Sequence, residues 1–282
     1  MTRLSIGFLH PGAMGISLAA SAQNSGCTVY WASEGRSKQT HERAAEHGLR
    51  DAQTLRALCE VCDVVVSVCP PHAAEEVAAQ VRACAFRGLY LDANAISPMR
   101  TQRIGREMAR VGIAFVDGSI IGGPAWEPRR TWLYLAGTEA GRAAGCFSAG
   151  PLETCVVGEE IGKAAALKMC FAAYTKGSTA LLCAILAAAE ELGVRPELEA
   201  QWSRGGSDFA RQTQERVRQV TTRAWRFAGE MEEIAATFEQ AGLPGGFHAA
   251  AADVYRRIAH FKDVETPSLD EVLEALAEAE RV

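Results

Sequence analysis

Several features that identify other classes of protein are missing from this sequence. No run of about 18 apolar residues marks a membrane span, and the opening MTRLSIGFLH lacks the organisation of a secretory signal. The net charge of -5 gives no basic excess for nucleic acid. The arginines between Arg195 and Arg226 alternate with acidic and apolar residues, which is typical of solvated helix faces. We therefore expect a cytoplasmic protein without nucleic-acid or membrane partners.

Patterns for metal binding and for disulfides are also missing. The nine cysteines are an odd number and lie mostly in apolar runs, where cysteine is usually a small buried side chain. Cys59 and Cys62 form one C-x-x-C, but no second pair and no histidine at ligand spacing accompany it. We predict no metal site and no disulfide framework.

The chain of 282 residues, 48% of them hydrophobic, is long enough for two domains. Strand candidates alternate with helical stretches in the first half: LSIGFL, TVYWA, DVVVSV, LYLDA and IAFVDG. This alternation predicts an α/β domain with a mostly parallel sheet. From 161 onward the spacing is helical, with breaks at Gly193, Pro196, 205–206 and 243–246, and a capping box at Ser268 begins a last helix. The second domain should be all-helical.

A glycine-containing loop directly follows the first strand candidate. Gly12 and Gly15 match the second and third glycines of G-x-G-x-x-G, while His10 occupies the first position. Such glycines let the backbone approach a pyrophosphate that rests on the N-terminal amides of the next helix. A tight turn without a ligand is the simpler alternative. We predict a Rossmann-type, doubly wound dinucleotide-binding domain at 1–160 and the helical domain at 161–282, with a cofactor loop formed by His10, Pro11, Gly12, Ala13 and Met14.

The residues after the second strand candidate bear on the choice between NADP and NAD. TVYWA leads into Ser33-Glu34-Gly35-Arg36-Ser37, with no aspartate placed to bond the ribose hydroxyls. Arg36, Ser33 and Ser37 suit a 2′-phosphate, whereas Glu34 could turn toward the ribose and favour NAD. We expect NADP, with NAD as the alternative.

Several motifs, taken in order, resemble those of the β-hydroxyacid dehydrogenases, the family of 6-phosphogluconate and 3-hydroxyisobutyrate dehydrogenases. IGFLHPGAMGISLAA resembles the dinucleotide fingerprint, and HPGAMG, WASEGRS and LKMCFAAYTKG are most similar to a poorly characterised branch. Loops 68–71 and 91–98 resemble segments near the cofactor, which adds Cys69, Pro70 and Asn94 to that site. Residues 117–123 resemble the substrate-binding loop, and 162–168 resemble the helix of the catalytic lysine.

The resemblance implies hydride transfer between nicotinamide and a small carbonyl or hydroxy compound, with Lys168 as general acid–base. On a helix, Lys168 shares a stripe with Phe171, Ala172 and Thr175, and Lys176 lies near its edge. Apolar surroundings should depress the pKa of Lys168; an exposed helix lysine is the alternative. The predicted substrate residues are Ser119, Ile121, Gly122, Gly123, Phe171, Ala172 and Thr175.

This chain departs from the family pattern at some of these positions. Ile121 stands where the family has serine, and Phe171 and Ala172 replace an asparagine pair. An apolar wall cannot replace the hydrogen bonds that a carboxylate loses on leaving water. We therefore expect small hydroxy acids to be poor substrates unless Arg129 or Arg130 reaches inward.

Two other functions and the oligomeric state stay open. Imine reduction is known among helical-domain relatives of this fold, although many of those lack the lysine; a cofactor-binding regulator without turnover is the second alternative. The stretch 161–192 is apolar on more than one helical face. This predicts a homodimer, with a buried central helix as the alternative.

Overall fold

The computed structural model describes residues 4–278. The chain divides into two compact units, the first ending at Met169 and the second beginning at Cys170. The division falls inside a long helix, later than the sequence-based limit. The domain limits of 1–160 and 161–282 stay a prediction.

The first unit contains one eight-stranded sheet, with the strand order β3-β2-β1-β4-β5-β6-β7-β8. All neighbouring strands are parallel except β6 and β7, which are antiparallel. This confirms the predicted Rossmann-type fold, whose chain order reverses between β1 and β4. The strands are β1 Ser5–Phe8, β2 Thr28–Trp31, β3 Arg50–Asp51, β4 Val64–Ser67, β5 Leu89–Asp92, β6 Ala114–Gly122, β7 Thr131–Ala136 and β8 Leu152–Gly158.

Helices cover both faces of this sheet. Along β4, Val64 and Val66 lie in one buried cluster, whereas Val65 lies in another together with Tyr90. Alternate side chains of a strand point to opposite faces, so strands that are hydrophobic throughout need cover on both sides. The helices of this unit are α1 Ala13–Asn24, α2 Lys38–Glu46, α3 Leu55–Val61, α4 Ala74–Ala83, α5 Pro98–Arg110 and α6 Ala140–Gly145.

The segment that resembles a substrate-binding loop is mostly strand. β6 continues to Gly122 and pairs in antiparallel register with β7, from Asp117 opposite Ala136 to Gly122 opposite Thr131. β6 includes most of the strand candidate IAFVDG, which ends at 118, so the expectation of a loop was wrong for 119–122. Hydrogen bonds to β7 and the β-branched side chains of Ile120 and Ile121 favour the extended conformation.

The second unit is helical throughout its described part, as predicted. The helix that crosses from the first unit is α7 Lys163–Glu191, and it is followed by α8 Arg195–Trp202, α9 Phe209–Gln240, α10 Gly246–Arg257 and α11 Leu269–Ala277. The expected breaks at Gly193, 205–206 and 243–245 separate these helices. The break expected at Pro196 was wrong, because Pro196 lies in the first turn of α8, where proline is tolerated. Ser268 and Glu271 form the predicted capping box at the start of α11.

By length and composition alone, α7 is able to cross a membrane. Of its most apolar window of 18 residues, 44% are buried within the protein. A helix in the core of a globular protein passes the same test, so this is weak evidence for a membrane.

Candidate cofactor and active site

The loop between β1 and α1 has the geometry of a pyrophosphate site. The Gly12 N–H donates to the His10 carbonyl at 2.8 Å, which tightens the turn, and α1 begins at Ala13 without a side-chain cap or an acidic residue in its first turn. An added Cβ at Gly15 would overlap the His10 carbonyl oxygen, whereas one at Gly12 would meet nothing within 4 Å. Gly15 thus permits close packing, and Gly12 leaves the helix amides open to an anion.

A cavity of about 140 Å³ lies beside this loop. It brings together three predicted cofactor residues, His10, Glu34 and Arg36. His10 Nδ1 and Arg36 Nε are buried there without a hydrogen-bond partner among residues 4–278. Buried polar atoms normally have partners, so the cavity fits the ribose and phosphate end of a dinucleotide. Its other lining residues, which the sequence did not indicate, are Leu9, Ala32, Leu55, Val77 and Gln80.

Arg36 supplies the positive charge of this cavity, and Glu34 lines it as an exposed carboxylate. Burial and, to a smaller extent, the positive charge of Arg36 lower the pKa of His10 to about 4. His10 is therefore neutral near pH 7 and leaves Arg36 as the cation of the cavity. Burial also lowers the pKa of Arg36, which an anionic ligand would oppose.

The other residues predicted to hold a 2′-phosphate are arranged less directly. Ser37 caps α2, because its hydroxyl accepts from the Thr40 N–H at 3.3 Å. The Ser33 carbonyl accepts from the Arg36 N–H, which shapes the turn. Glu34 is exposed. Of the predicted set, Arg36 is the residue most suited to contact the phosphate.

Asn94 connects the loops that follow β4 and β5. Its side-chain oxygen accepts from the Cys69 N–H at 2.6 Å, and its amide donates to the Ser67 hydroxyl at 3.1 Å. Burial raises the pKa of the Cys69 thiol to about 11, so the thiol is neutral near pH 7. Pro70 is exposed. Asn94 thus orients the loop of Cys69 and Pro70 through hydrogen bonds inside the protein.

Two contacts fasten the helix of Lys168 to β6. The Lys168 ammonium donates to the Ile120 carbonyl at 2.6 Å. One oxygen of Asp117, Oδ2, accepts from the backbone N–H groups at the start of α7, namely those of Gly162 at 2.9 Å, Ala164 at 3.0 Å and Ala165 at 3.3 Å. Asp117 thus acts as an N-terminal cap of the lysine helix. In the sequence, Asp117 is recognisable only as part of the strand candidate IAFVDG and of the segment 117–123.

Asp117 and Asp92 form a pair of buried carboxyl groups. They lie opposite each other on the parallel strands β6 and β5, and each is only 1% exposed. Burial raises the pKa of Asp117 to about 6, although the three N–H donors oppose this effect. Burial and the neighbouring charge of Asp117 raise the pKa of Asp92 to about 7.

The predicted substrate residues are divided between the two units. Ser119 and Ile121 lie on β6, and the Ser119 hydroxyl is buried without a hydrogen-bond partner among the described residues. Gly122 and Gly123 are exposed at the end of this strand. Phe171, Ala172 and Thr175 belong to the second unit; Phe171 is exposed, Ala172 is buried and the Thr175 hydroxyl bonds the Phe171 carbonyl.

Three further basic residues are candidates for the site. Arg129 and Arg130 are exposed in the turn between β6 and β7, where Arg130 pairs with Glu127. Lys176 is in the second unit and is ion-paired with Glu230. Burial lowers the pKa of Lys176, and the charge of Glu230 opposes this effect.

Two family models match the chain. Residues 5–144 match the NAD binding domain of 6-phosphogluconate dehydrogenase, and residues 189–258 match a domain of unknown function, DUF1932. An uncharacterized 28.5 kDa protein in the 7S RNA 5′ region of Methanothermus fervidus is 30% identical over 166 residues, which are 58% of this chain and 63% of that protein. The match thus spans less than two thirds of that relative.

Solved structures of the same fold cover nearly the whole chain. A conserved protein of unknown function, described as similar to 3-hydroxyacid dehydrogenases, is 27% identical, with 91% of this chain and 97% of that one covered and a TM-score of 0.68. The 3-hydroxyisobutyrate dehydrogenase of Mycobacterium tuberculosis with L-serine is 19% identical, with 99% of this chain and 100% of that one covered and a TM-score of 0.72. The imine reductase of Myxococcus stipitatus with NADP⁺ is 18% identical, with 95% of this chain and 99% of that one covered and a TM-score of 0.57.

The last two structures share the fold with this chain, and their low identity supports nothing finer. The match of residues 5–144 is more specific, because it coincides with the glycine loop and the cavity beside it. Residues 5–144 thus match the NAD binding domain of 6-phosphogluconate dehydrogenase, which confirms the resemblance of the sequence motifs to that family.

Proposed function

We propose that this NAD(P)-dependent oxidoreductase uses NADP(H) to transfer a hydride to or from a small carbonyl or hydroxy compound, with Lys168 as the general acid–base. The observation that carries the proposal is the attachment of Lys168 to β6 through Ile120 and through the Asp117 cap. β5 ends at Asp92, opposite Asp117, so the following residues of β6 extend beyond the carboxyl end of β5. Ligands of open α/β sheets bind at this edge.

The proposed chemistry needs a proton at the substrate oxygen. Hydride addition to a carbonyl carbon leaves negative charge on the oxygen, and an ammonium group can neutralise it by donating a proton. A bound nicotinamide supplies the hydride. Lys168 would donate the proton in reduction and accept it in oxidation, while the Ile120 carbonyl holds its Nζ atom in place.

The test is a screen of carbonyl, hydroxy-acid and imine compounds for turnover of NADPH and NADH. We expect NADPH oxidation with a carbonyl compound and poor turnover of 3-hydroxyisobutyrate and 6-phosphogluconate. Faster turnover of imines than of carbonyl compounds would favour imine reductase, the alternative consistent with the shared fold. Cofactor binding without turnover of any compound would favour a regulator.

The choice of NADP is tested at Arg36. Replacing Arg36 with alanine should weaken NADPH binding about tenfold or more, because a hydrogen bond to a charged group contributes about 1.5–3 kcal/mol. NADH lacks the 2′-phosphate, so its affinity should change little. Fluorescence titration measures both affinities. Lys38→Ala is the control, since Lys38 is a highly exposed neighbour that pairs with Glu42. Unchanged NADPH affinity in Arg36→Ala would refute the assignment of Arg36 to the 2′-phosphate.

We also propose a cytoplasmic homodimer. On α7, Phe171, Tyr174 and Leu181 are 47%, 76% and 45% exposed and recur at helical spacing on one stripe. Large exposed apolar stripes favour association, and a second copy presents the same stripe in a two-fold interface. Light scattering should give twice the 30.2 kDa mass of one chain. Leu181→Glu should yield monomers, and a monomeric parent protein at micromolar concentration would contradict the proposal.

A further inference from the structure

A second polar groove lies in the helical unit, apart from the cofactor cavity. It measures about 340 Å³ and is lined by Thr179 of α7 and by one face of α9, including Arg211, Arg216 and Arg223. The sequence pattern indicated that these arginines lie on solvated helix faces. The structure instead places them together along a concave surface.

Arg216 is fixed in this groove by neutral groups. Its Nε donates to the Thr179 hydroxyl at 2.7 Å, and its Nη2 donates to the Thr175 carbonyl at 2.8 Å and to the Ser178 hydroxyl at 2.7 Å. Among residues 4–278, no carboxylate pairs with this half-buried guanidinium. A partly buried charge without a counter-charge is costly, so the arrangement favours an anion.

The neighbouring charges leave the groove positive. Arg211 pairs with Asp208 at 2.9 Å, and the one acidic lining residue, Glu215, is turned to Arg218 at 3.6 Å. Arg223 is exposed and makes no ion pair or hydrogen bond within the described residues. Arg216 and Arg223 are two helical turns apart on the same face of α9. Two uncompensated guanidinium groups therefore face one groove.

We propose that this groove binds a small dianion, a phosphate or a dicarboxylate, between Arg216 and Arg223. The free guanidinium fork of Arg223 matches the oxygens of either group and can bind them in a bidentate manner. Arg216, whose Nε and Nη2 hydrogens are taken by its three neutral acceptors, has its Nη1 hydrogens left for a further oxygen of the anion. The three neutral acceptors preorganise Arg216, so little conformational freedom is lost on binding. Because the site lies within the helical unit, it does not depend on the reaction proposed for Lys168.

The test is isothermal titration calorimetry of the full chain with inorganic phosphate and, separately, with succinate, at constant ionic strength set by sodium chloride. We expect saturable binding of at least one anion. Arg223→Gln should weaken it about tenfold or more, as expected for the loss of a charge-assisted hydrogen bond. Arg204→Gln is the matched control, because Arg204 is exposed in the same unit, outside the groove, and the charge change is the same.

The variants also distinguish the groove from general attraction of anions. Arg216→Lys keeps a positive charge but cannot make the three hydrogen bonds that hold the Arg216 guanidinium in the groove, so it should weaken binding while the protein stays folded by circular dichroism. Tighter binding of phosphate than of succinate would assign a phosphorylated ligand, and the reverse a dicarboxylate. Absence of saturable binding, or equal weakening in Arg223→Gln and Arg204→Gln, would overturn the proposal. Release of monomers by phosphate would overturn it too, because the groove would then hold a second copy.

Discussion

Replacing Lys168 with methionine is expected to lower kcat by about 10² to 10⁴, the usual contribution of a positioned general acid–base. Methionine keeps the length and the apolar stem of the side chain, so the variant removes the charge without leaving a large cavity in the helix packing. NADPH affinity should change little, because the glycine loop and Arg36 lie elsewhere in the first unit. Steady-state kinetics on the best substrate of the screen and a fluorescence titration of NADPH measure the two effects.

Lys163 provides a matched control for this variant. It is exposed at the start of the same helix, so Lys163→Met makes the same chemical change outside the proposed site and should keep near-parental kcat. Lys168→Ala should resemble Lys168→Met. If both Lys168 variants fold, bind NADPH and retain kcat within about threefold of the parent, the acid–base assignment is wrong, since losing a proton donor costs at least about tenfold. Lys176 would then be the next candidate.

The cofactor loop could be predicted from the sequence because its requirements are local. A short strand, a tight turn and a helix start follow one another within about 20 residues, the scale of one βα unit. The turn requires Gly12 and Gly15 independently of the rest of the chain: Gly15 because a Cβ would overlap the His10 carbonyl oxygen, and Gly12 because it leaves the helix amides open. The long helices were predictable for the same reason, since the spacing of their apolar residues and the glycine or proline residues that end them lie within a continuous stretch of sequence.

Features that depend on distant parts of the chain could not be predicted in this way. The donors to Asp117 lie 45, 47 and 48 residues further along, so its capping role has no local pattern. β6 continues through Ile121 because β7 pairs with it, and β3 has only two exposed residues with no hydrophobic signal. Arg216 looks like any helix arginine until its neutral partners on α7 are known.

Removing the Asp117 carboxylate is expected to have the second largest effect on catalysis. Asp117→Ala would leave the N–H groups of Gly162, Ala164 and Ala165 without their acceptor and release the first turn of the helix that carries Lys168. A displacement of about 1 Å at a catalytic group can cost about 10² in rate. We expect kcat to fall by about this factor with a smaller change in KM. Asp117→Asn keeps one acceptor oxygen and should recover most of the loss.

The dependence of kcat on pH distinguishes this positioning role from a role in stability alone. Arg100, Cys69 and Tyr90 interact electrostatically with Asp92, and Asp92 interacts with Asp117. Burial raises the pKa of Asp117 to about 6 against the effect of its three N–H donors. As the pH falls through 6, Asp117 takes up a proton and becomes a weaker acceptor, so the parental kcat should fall, whereas Asp117→Asn should lack this decrease.

The contribution of Asp117 to stability should rise as the pH falls, whereas kcat should decrease. The pKa of Asp117 lies above its ordinary value of 3.8, so between these two pH values the folded chain holds a proton that the unfolded chain releases. The contribution of Asp117 to the free energy of unfolding is therefore larger at pH 5 than at pH 7, so protonation of Asp117 does not itself favour unfolding over that range. Denaturant titrations at both pH values measure this contribution as the difference between the parent and Asp117→Asn. If kcat falls equally with decreasing pH in the parent and in Asp117→Asn, Asp117 does not position Lys168.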